Sequence, residues 1–201
     1  MLNVSRTTIR SALQSLEQQG IVSRKRAVGT TINGHIRPSA LALQRLVGFD
    51  TLLREQGYRV RSEVSLERMT PTRGMMDVFE LSPDCDCLVT NKRYFAGDQV
   101  AIAVCDIVPR ETLTTESFEE PLPASLFGFS AVYCRTPIDH AVVKIVAMVK
   151  NKQQGSFLSI ASGRPFTRLN ETHYTAAGVP VAFSLIDVDN AFVSFEVFRR
   201  G

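Results

Sequence analysis

Apolar residues near the start of the chain follow a helical period. Ile9, Ala12, Leu13 and Leu16 recur at spacings of three and four, which places them on one face of a helix over residues 5–19. Ser5 stands where an N-cap hydroxyl accepts a first-turn amide, and Gly20 follows the last apolar turn as a left-handed stop. Arg6, Thr7, Arg10 and Gln14 lie off the apolar face. Residues 21–32, "IVSRKRAVGTTI", have β-branched ends around a basic, glycine-containing turn, which predicts a β-hairpin. "NGHIRP", residues 33–38, reads as a linker. A second helix is expected over 39–56, with Leu41, Leu46, Val47, Leu52 and Leu53 on its apolar side and Gly57 ending it.

From about residue 58 the period drops toward two. Val60, Val64 and Leu66 alternate with charged neighbours, although the phase is imperfect. Residues 87–108 predict a hairpin that turns at Ala96–Gln99, where Gly97-Asp98 supplies the turn chemistry. Residues 139–151 read as a strand and 153–161 as a short helix. The last 36 or so residues read as two or three antiparallel strands with a turn at Ala177-Gly178. No repeat or low-complexity tract interrupts this order. The expected fold is α+β: a small basic module ahead of an antiparallel sheet.

Composition adds bounds. A chain of 201 residues has room for one large domain, or one domain with a small module. With 44% hydrophobic and 21% charged residues it buries a core and is expected to be soluble. No apolar run approaches the roughly 18 residues that a membrane crossing needs, and no charged-then-apolar export signal opens the chain. A cytoplasmic location is therefore expected, with reduced thiols as the default for Cys85, Cys87, Cys105 and Cys134. Cys85 and Cys87 form Cys-x-Cys in "SPDCDC". A metal site would want a second Cys or His pair at ligand spacing, and none is present, so no metal is expected. The ordinary reading is a pair of small, half-buried residues at a strand start.

Charge is unevenly spread. Residues 1–37 hold six basic side chains (Arg6, Arg10, Arg24, Lys25, Arg26, Arg37) against one acid, Glu17, a net +5. The remaining 164 residues hold 17 basic and 19 acidic side chains, a net −2. A basic segment on a near-neutral body points to a polyanion-binding module.

The segment "LNVSRTTIRSALQSLEQQGIVSRKRAVGTTI" resembles the second half of the winged helix-turn-helix of GntR-family regulators. The match runs through Val4–Arg10, Ala12-Leu13, Leu16, Gly20–Val22 and Gly29-Thr30. The resemblance implies a partial winged helix-turn-helix over residues 1–35, with a recognition helix and a wing. Operator contacts would then come from Ser5, Arg6, Thr7, Thr8 and Arg10 on the helix, and from Arg24, Lys25, Arg26, Gly29 and Thr30 on the wing. The physics agrees: arginines early in a recognition helix reach base edges, and each bidentate guanine contact is worth roughly 1–3 kcal/mol. Hydroxyls at a helix start suit phosphate. The family's preceding helix and most of the next have no counterpart before "MLNVSR". The expectation is that this chain binds operator weakly or not at all, and that a longer one binds well.

Residues 36–201 resemble the UTRA effector-binding domain of the HutC-like GntR branch, a fold related to chorismate lyase. The carrying pieces are "LVGFDTLLREQGY", "NKRYFAGDQVAIAVCDIVP", "ASLF" and "NETHYTAAGVPVAFSLIDVDNAFVSFEVFRR". Sugar-phosphate-sensing members carry Arg-x-Arg on a strand, which falls here on Asn91 and Arg93. A "SLY"-like serine falls on Ser125, and a "PVEYS"-like motif becomes "PVAFS", with Ala182 at its acidic position and Ser184 retained. A Tyr-Arg pair falls on Val188 and Asp189. The implied effector-binding residues are Asn91, Arg93, Ser125, Glu171, Tyr174 and Ser184. Glu171 and His173 share one strand face, and His140 reads as structural. Arg93 and Ser125 suit a carboxylate, phosphate or phosphonate, so a small anionic effector is expected without amino-sugar-phosphate recognition.

The resemblance implies a homodimeric repressor whose affinity for double-stranded operator DNA is set by the effector, with no cofactor and no membrane partner. Two alternatives stay open. One is a chorismate-lyase-like enzyme, for which Arg93 with Glu171 is a possible catalytic pair. The other is a sensor or dimerisation module that lacks DNA binding. No nucleophile elbow, phosphate loop or HExxH is present, and fold alone does not fix function. No catalytic residue is assigned.

Overall fold

A computed structural model describes residues 4–18, 21–25, 29–33, 48–123, 125–151 and 157–195. Gly20, Arg26, most of the linker, residues 39–47 of the expected second helix and residues 153–156 lie outside them. The chain divides into two compact units, Met1–Val47 with Ser194–Gly201, and Gly48–Val193.

In the first unit, helix α1 spans Arg6–Gln18. Ser5 caps it: its Oγ accepts the Thr8 amide at 3.1 Å and meets the Thr8 hydroxyl at 2.8 Å. At the other end the Ile21 amide donates to the Leu16 carbonyl at 3.0 Å, closing the last turn. The hairpin follows, with β1 (Val22–Lys25) antiparallel to β2 (Gly29–Ile32) and Arg24 opposite Thr30. Gly29 has φ +102°, open only to a residue without Cβ strain. Val22 is buried, while Ile9 on the apolar face of α1 stays 42% exposed.

The second unit is built on one six-stranded antiparallel sheet in the order β3-β4-β5-β8-β7-β6. Its strands are β3 (Val60–Met69), β4 (Cys87–Ala96), β5 (Gln99–Pro109), β6 (His140–Val149), β7 (Pro165–Tyr174) and β8 (Pro180–Val188). Three helices accompany it: α2 (Phe49–Glu55), α3 (Arg73–Phe79) and α4 (Leu126–Tyr133). The hairpin turn falls between Ala96 and Gln99 as expected, with Gly97 at φ 63°.

Side chains alternate along each strand, so the register assigns every residue to one of two faces. Leu88, Val108 and Ala182 meet Leu126, Phe129 and Tyr133 on the face that α4 covers. Val89, Cys105, Ile107, Phe183 and Leu185 meet Met75 and Phe79 on the face that α3 covers. The central strands are thus buried on both sides, and β5 reads as an almost unbroken apolar run because it has no solvent face. The edge strands β3 and β6 are largely exposed on both sides. That explains the imperfect phase of Val60, Val64 and Leu66: no single buried face imposes a period of two.

The structure departs from expectation in three places. Gly48 is an extended N-cap, so the described part of the second helix begins at Phe49 and does not continue back through Gly48. Residues 157–161 form bends and coil rather than helix, and Leu158 is buried against Phe95 and Phe166. Helices α3 and α4 were not expected, because seven- and eight-residue helices hold too few turns to show a period.

Candidate operator-binding and effector-binding sites

Arg6, Thr7 and Arg10 are exposed on α1. Arg24 and Thr30 are exposed on the hairpin, opposite one another. The lysine backbone at Lys25 pairs with Gly29. Ser5 and Thr8 are already engaged with each other at the helix start, so their hydroxyls hold the cap.

A connected polar group is buried in the α4-covered face of the sheet. Lys92 Nζ pairs with Asp106 Oδ2 at 3.0 Å, and both side chains are less than a tenth exposed. Thr90 Oγ1 donates to Asp106 Oδ2 at 3.2 Å, and Ser184 Oγ donates to Asp106 Oδ1 at 2.7 Å. Ser184 Oγ also lies 2.9 Å from His173 Nε2. The serine's one proton goes to Asp106, so its oxygen accepts from His173, which places the imidazole proton on Nε2. His173 Nδ1 is then a bare acceptor, and it is buried without a hydrogen-bond partner. Phe127, in the first turn of α4, stands edge-on to this ring at 5.7 Å. Burial pushes His173 down to about 4, partly opposed by the Asp106 charge, so the ring is neutral near pH 7. Glu171 Oε2 lies 3.6 Å from His173 Nε2. Burial, with Asp106 adding to it, raises the Glu171 carboxyl to about 7. The polar group thus leaves one buried acceptor, His173 Nδ1, unmet near a carboxyl that titrates close to neutral pH.

The sheet separates the expected effector residues. Asn91 and Arg93 alternate with Lys92 on β4 and therefore point to the α3-covered face, opposite Glu171 and Ser184. Asn91 Nδ2 donates to Glu67 Oε1 at 2.6 Å, and Arg93 stands opposite Glu63. Tyr174 lies on the wall of a cavity of about 670 Å³ on that same α3-covered face, stacked on His140 at 5.5 Å between centroids. Ser125 caps α4, accepting the Gly128 amide at 3.1 Å, and so belongs with the face of Glu171 and Ser184. The six residues do not line one cleft. Lys92 and Asp106 were missed, and His173 was legible only through the strand face it shares with Glu171. The alternation around Lys92 was the available signal, since an ionisable residue in phase with buried Leu88 and Tyr94 must point inward. Among the described residues no cluster of three His, Cys, Asp or Glu is placed to hold a metal. None of the described helices is long and apolar enough to cross a membrane.

A basic helix-and-hairpin module joined to a sheet domain with a buried polar site defines a ligand-responsive DNA-binding protein. Family models agree. Residues 1–32 match the bacterial regulatory proteins of the gntR family, and residues 55–186 match the UTRA domain. The chain belongs to the UTRA-domain branch of the GntR-family regulators, DNA-binding regulators with a ligand-binding C-terminal domain. Solved structures share the fold at low identity. The transcriptional regulator YydK from Bacillus subtilis is 19% identical with a TM-score of 0.67, covering 98% of this chain and 84% of its own. PhnF from Mycobacterium smegmatis is 17% identical with a TM-score of 0.61, covering 98% and 86%. A GntR-family regulator from Enterococcus faecalis is 18% identical with a TM-score of 0.56, covering 69% and 100%. No curated protein sequence matches the chain.

Proposed function

We propose that this regulator binds its effector on the α4-covered face of the sheet, over Glu171, His173 and Ser184, and that occupancy there sets operator affinity. The observation that carries the reading is the buried, unmet His173 Nδ1 beside the Glu171 carboxyl. The effector is a small anionic metabolite that also bears a hydrogen-bond donor. Its donor meets His173 Nδ1 and Glu171, while its anion sits toward the α4 start, where the positive end of the helix dipole favours negative charge. Lys92 is paired with Asp106 and supports this geometry from within the sheet. Asn91, Arg93 and Tyr174 are not part of this proposed site.

Operator contact is assigned to Arg6, Thr7 and Arg10 on base edges and to Arg24, Lys25, Arg26, Gly29 and Thr30 on the backbone, with Ser5 and Thr8 fixing the helix start. A cytoplasmic homodimer fits a two-half-site operator. The protein acts as a sensor and not as an enzyme. Arg93 and Glu171 lie on opposite sides of the sheet, so they cannot share a substrate. Ser184 does not form a nucleophile–base–acid relay, because its proton goes to Asp106 and not to His173.

The experiment is a thermal-shift screen of the whole chain against sugar phosphates, phosphonates and carboxylates with and without amine or hydroxyl donors. A ligand that binds only the folded state raises its stability with the logarithm of concentration over Kd. A hit lost in Glu171→Gln and kept in Arg93→Ala supports the site. A hit lost in Arg93→Ala and kept in Glu171→Gln moves the effector to the other face.

A further inference from the structure

The Cys-x-Cys motif ahead of β4 is not used by operator or effector recognition, yet it is placed for chemistry. The Cys85 and Cys87 Sγ atoms are 3.3 Å apart, inside van der Waals contact of two sulfurs. Both are free thiols. Cys87 is buried against Met75, Phe79 and Phe183 under α3. Cys85 is half-buried and lies on the wall of the cavity of about 670 Å³, beside Glu80, Asp84 and Glu111. One sulfur is thus reachable from solvent and the other sits directly behind it.

We propose that Cys85 and Cys87 are a peroxide-reactive pair that closes to an intrachain disulfide. The Cys85 thiolate attacks one oxygen of a hydroperoxide, the O–O bond breaks, and water or an alcohol leaves after protonation. Cys85 becomes a sulfenic acid. The Cys87 sulfur then attacks the sulfenic sulfur, loses its proton, and expels hydroxide, which leaves as water. Two thiols are oxidised and one hydroperoxide is reduced. Cys85 takes the first step because it is accessible, and because burial, with Cys85, Asp86 and Glu111 adding to it, raises Cys87 to about 12. Proximity offsets the weak acidity of Cys87 in the second step. The carboxylates at the rim favour a neutral oxidant over anionic glutathione disulfide. Asp86 between them is held at two points by Arg110, whose amide donates to its carbonyl at 2.8 Å and whose guanidinium donates to its carboxylate at 3.2 Å. Closure to the bonded separation of about 2 Å therefore moves Cys85 inward and off the cavity wall.

The test treats the full chain with hydrogen peroxide, blocks remaining thiols with iodoacetamide, and digests with trypsin. Gly74–Lys92 is one tryptic peptide that carries both cysteines. The expected product is this peptide lighter by two hydrogen masses, unalkylated at both cysteines, and restored by dithiothreitol. In Cys85→Ser, Cys87 stays reduced and alkylatable after denaturation at the same dose. Cys134→Ser leaves the product unchanged. The proposal is overturned if Cys134 oxidises before the pair, if Cys85 proceeds to sulfinic acid while Cys87 stays reduced, or if the disulfide links two chains.

Discussion

Glu171 and His173 shift in opposite directions for one reason: burial disfavours the charged form of each. Glu171 has a folded value near 7, above its ordinary 4.5, so its neutral form stabilises the fold below about 4.5 and that stability is lost as pH rises to 7. His173 has a folded value near 4, below its ordinary 6.5, so its contribution is present above 6.5 and lost as pH falls toward 4. Glu171→Gln should therefore gain on the native chain as pH rises from 4.5 to 7, by on the order of 3 kcal/mol across the window. Denaturant titrations at several pH values read this directly, and a flat difference between the two proteins would show that Glu171 ionises as freely folded as unfolded. Removing one partner of the buried ion pair has a larger cost. Lys92→Met strands Asp106 inside the sheet and should lower stability by about 3–5 kcal/mol. Urea midpoints of the two chains check it, and a loss under 1 kcal/mol would mean that water reaches Asp106.

At the scale of elements, α1 combines a cap with a reading face. Ser5→Ala should speed amide exchange in the first turn of α1 by roughly the factor that about 1 kcal/mol implies, without altering the sheet. The arginines of that helix are expected to act by position. Arg6→Ala or Arg10→Ala should cost about 1–3 kcal/mol of operator affinity and relax base preference at one position. Arg24→Ala on the hairpin should weaken binding to all sequences alike and lower the salt slope by about 1. Equal losses on operator and random DNA for all three would assign the helix to phosphate alone. The expected alternation of β4 and β7 held, yet it did not say which residues share a cleft. The resemblance groups Asn91 and Arg93 with Glu171, because they fall on the Arg-x-Arg positions of sugar-phosphate-sensing members. The register puts them on the other side of the sheet. A one-residue step along a strand reverses its face, and the partner strands alone fix the phase.

For the whole molecule, the coupling of effector and operator is reciprocal: an effector that lowers operator affinity by some factor must lose affinity for the protein by the same factor when operator is bound. Titrating effector into free and operator-bound protein should give equal factors, and unequal ones would point to a second binding site or a change in assembly. Sedimentation equilibrium of the free chain decides the proposed dimer.

Short-range chemistry was legible in the sequence. The hydroxyl cap at Ser5, the helical period of α1, the glycine at Gly29, the turn at Gly97-Asp98 and the separation of a basic segment from a neutral body each depend on a few adjacent residues. The family was legible by resemblance, through the motifs quoted from both parts of the chain. The tertiary structure alone decided what long-range pairing controls. It placed β8 between β5 and β7, which brings Asp106, Ser184 and His173 together from three strands. It also buried Lys92 while leaving Arg93 in water, because a side chain's environment is set by the strand opposite and the helix above, neither of which lies nearby in the chain.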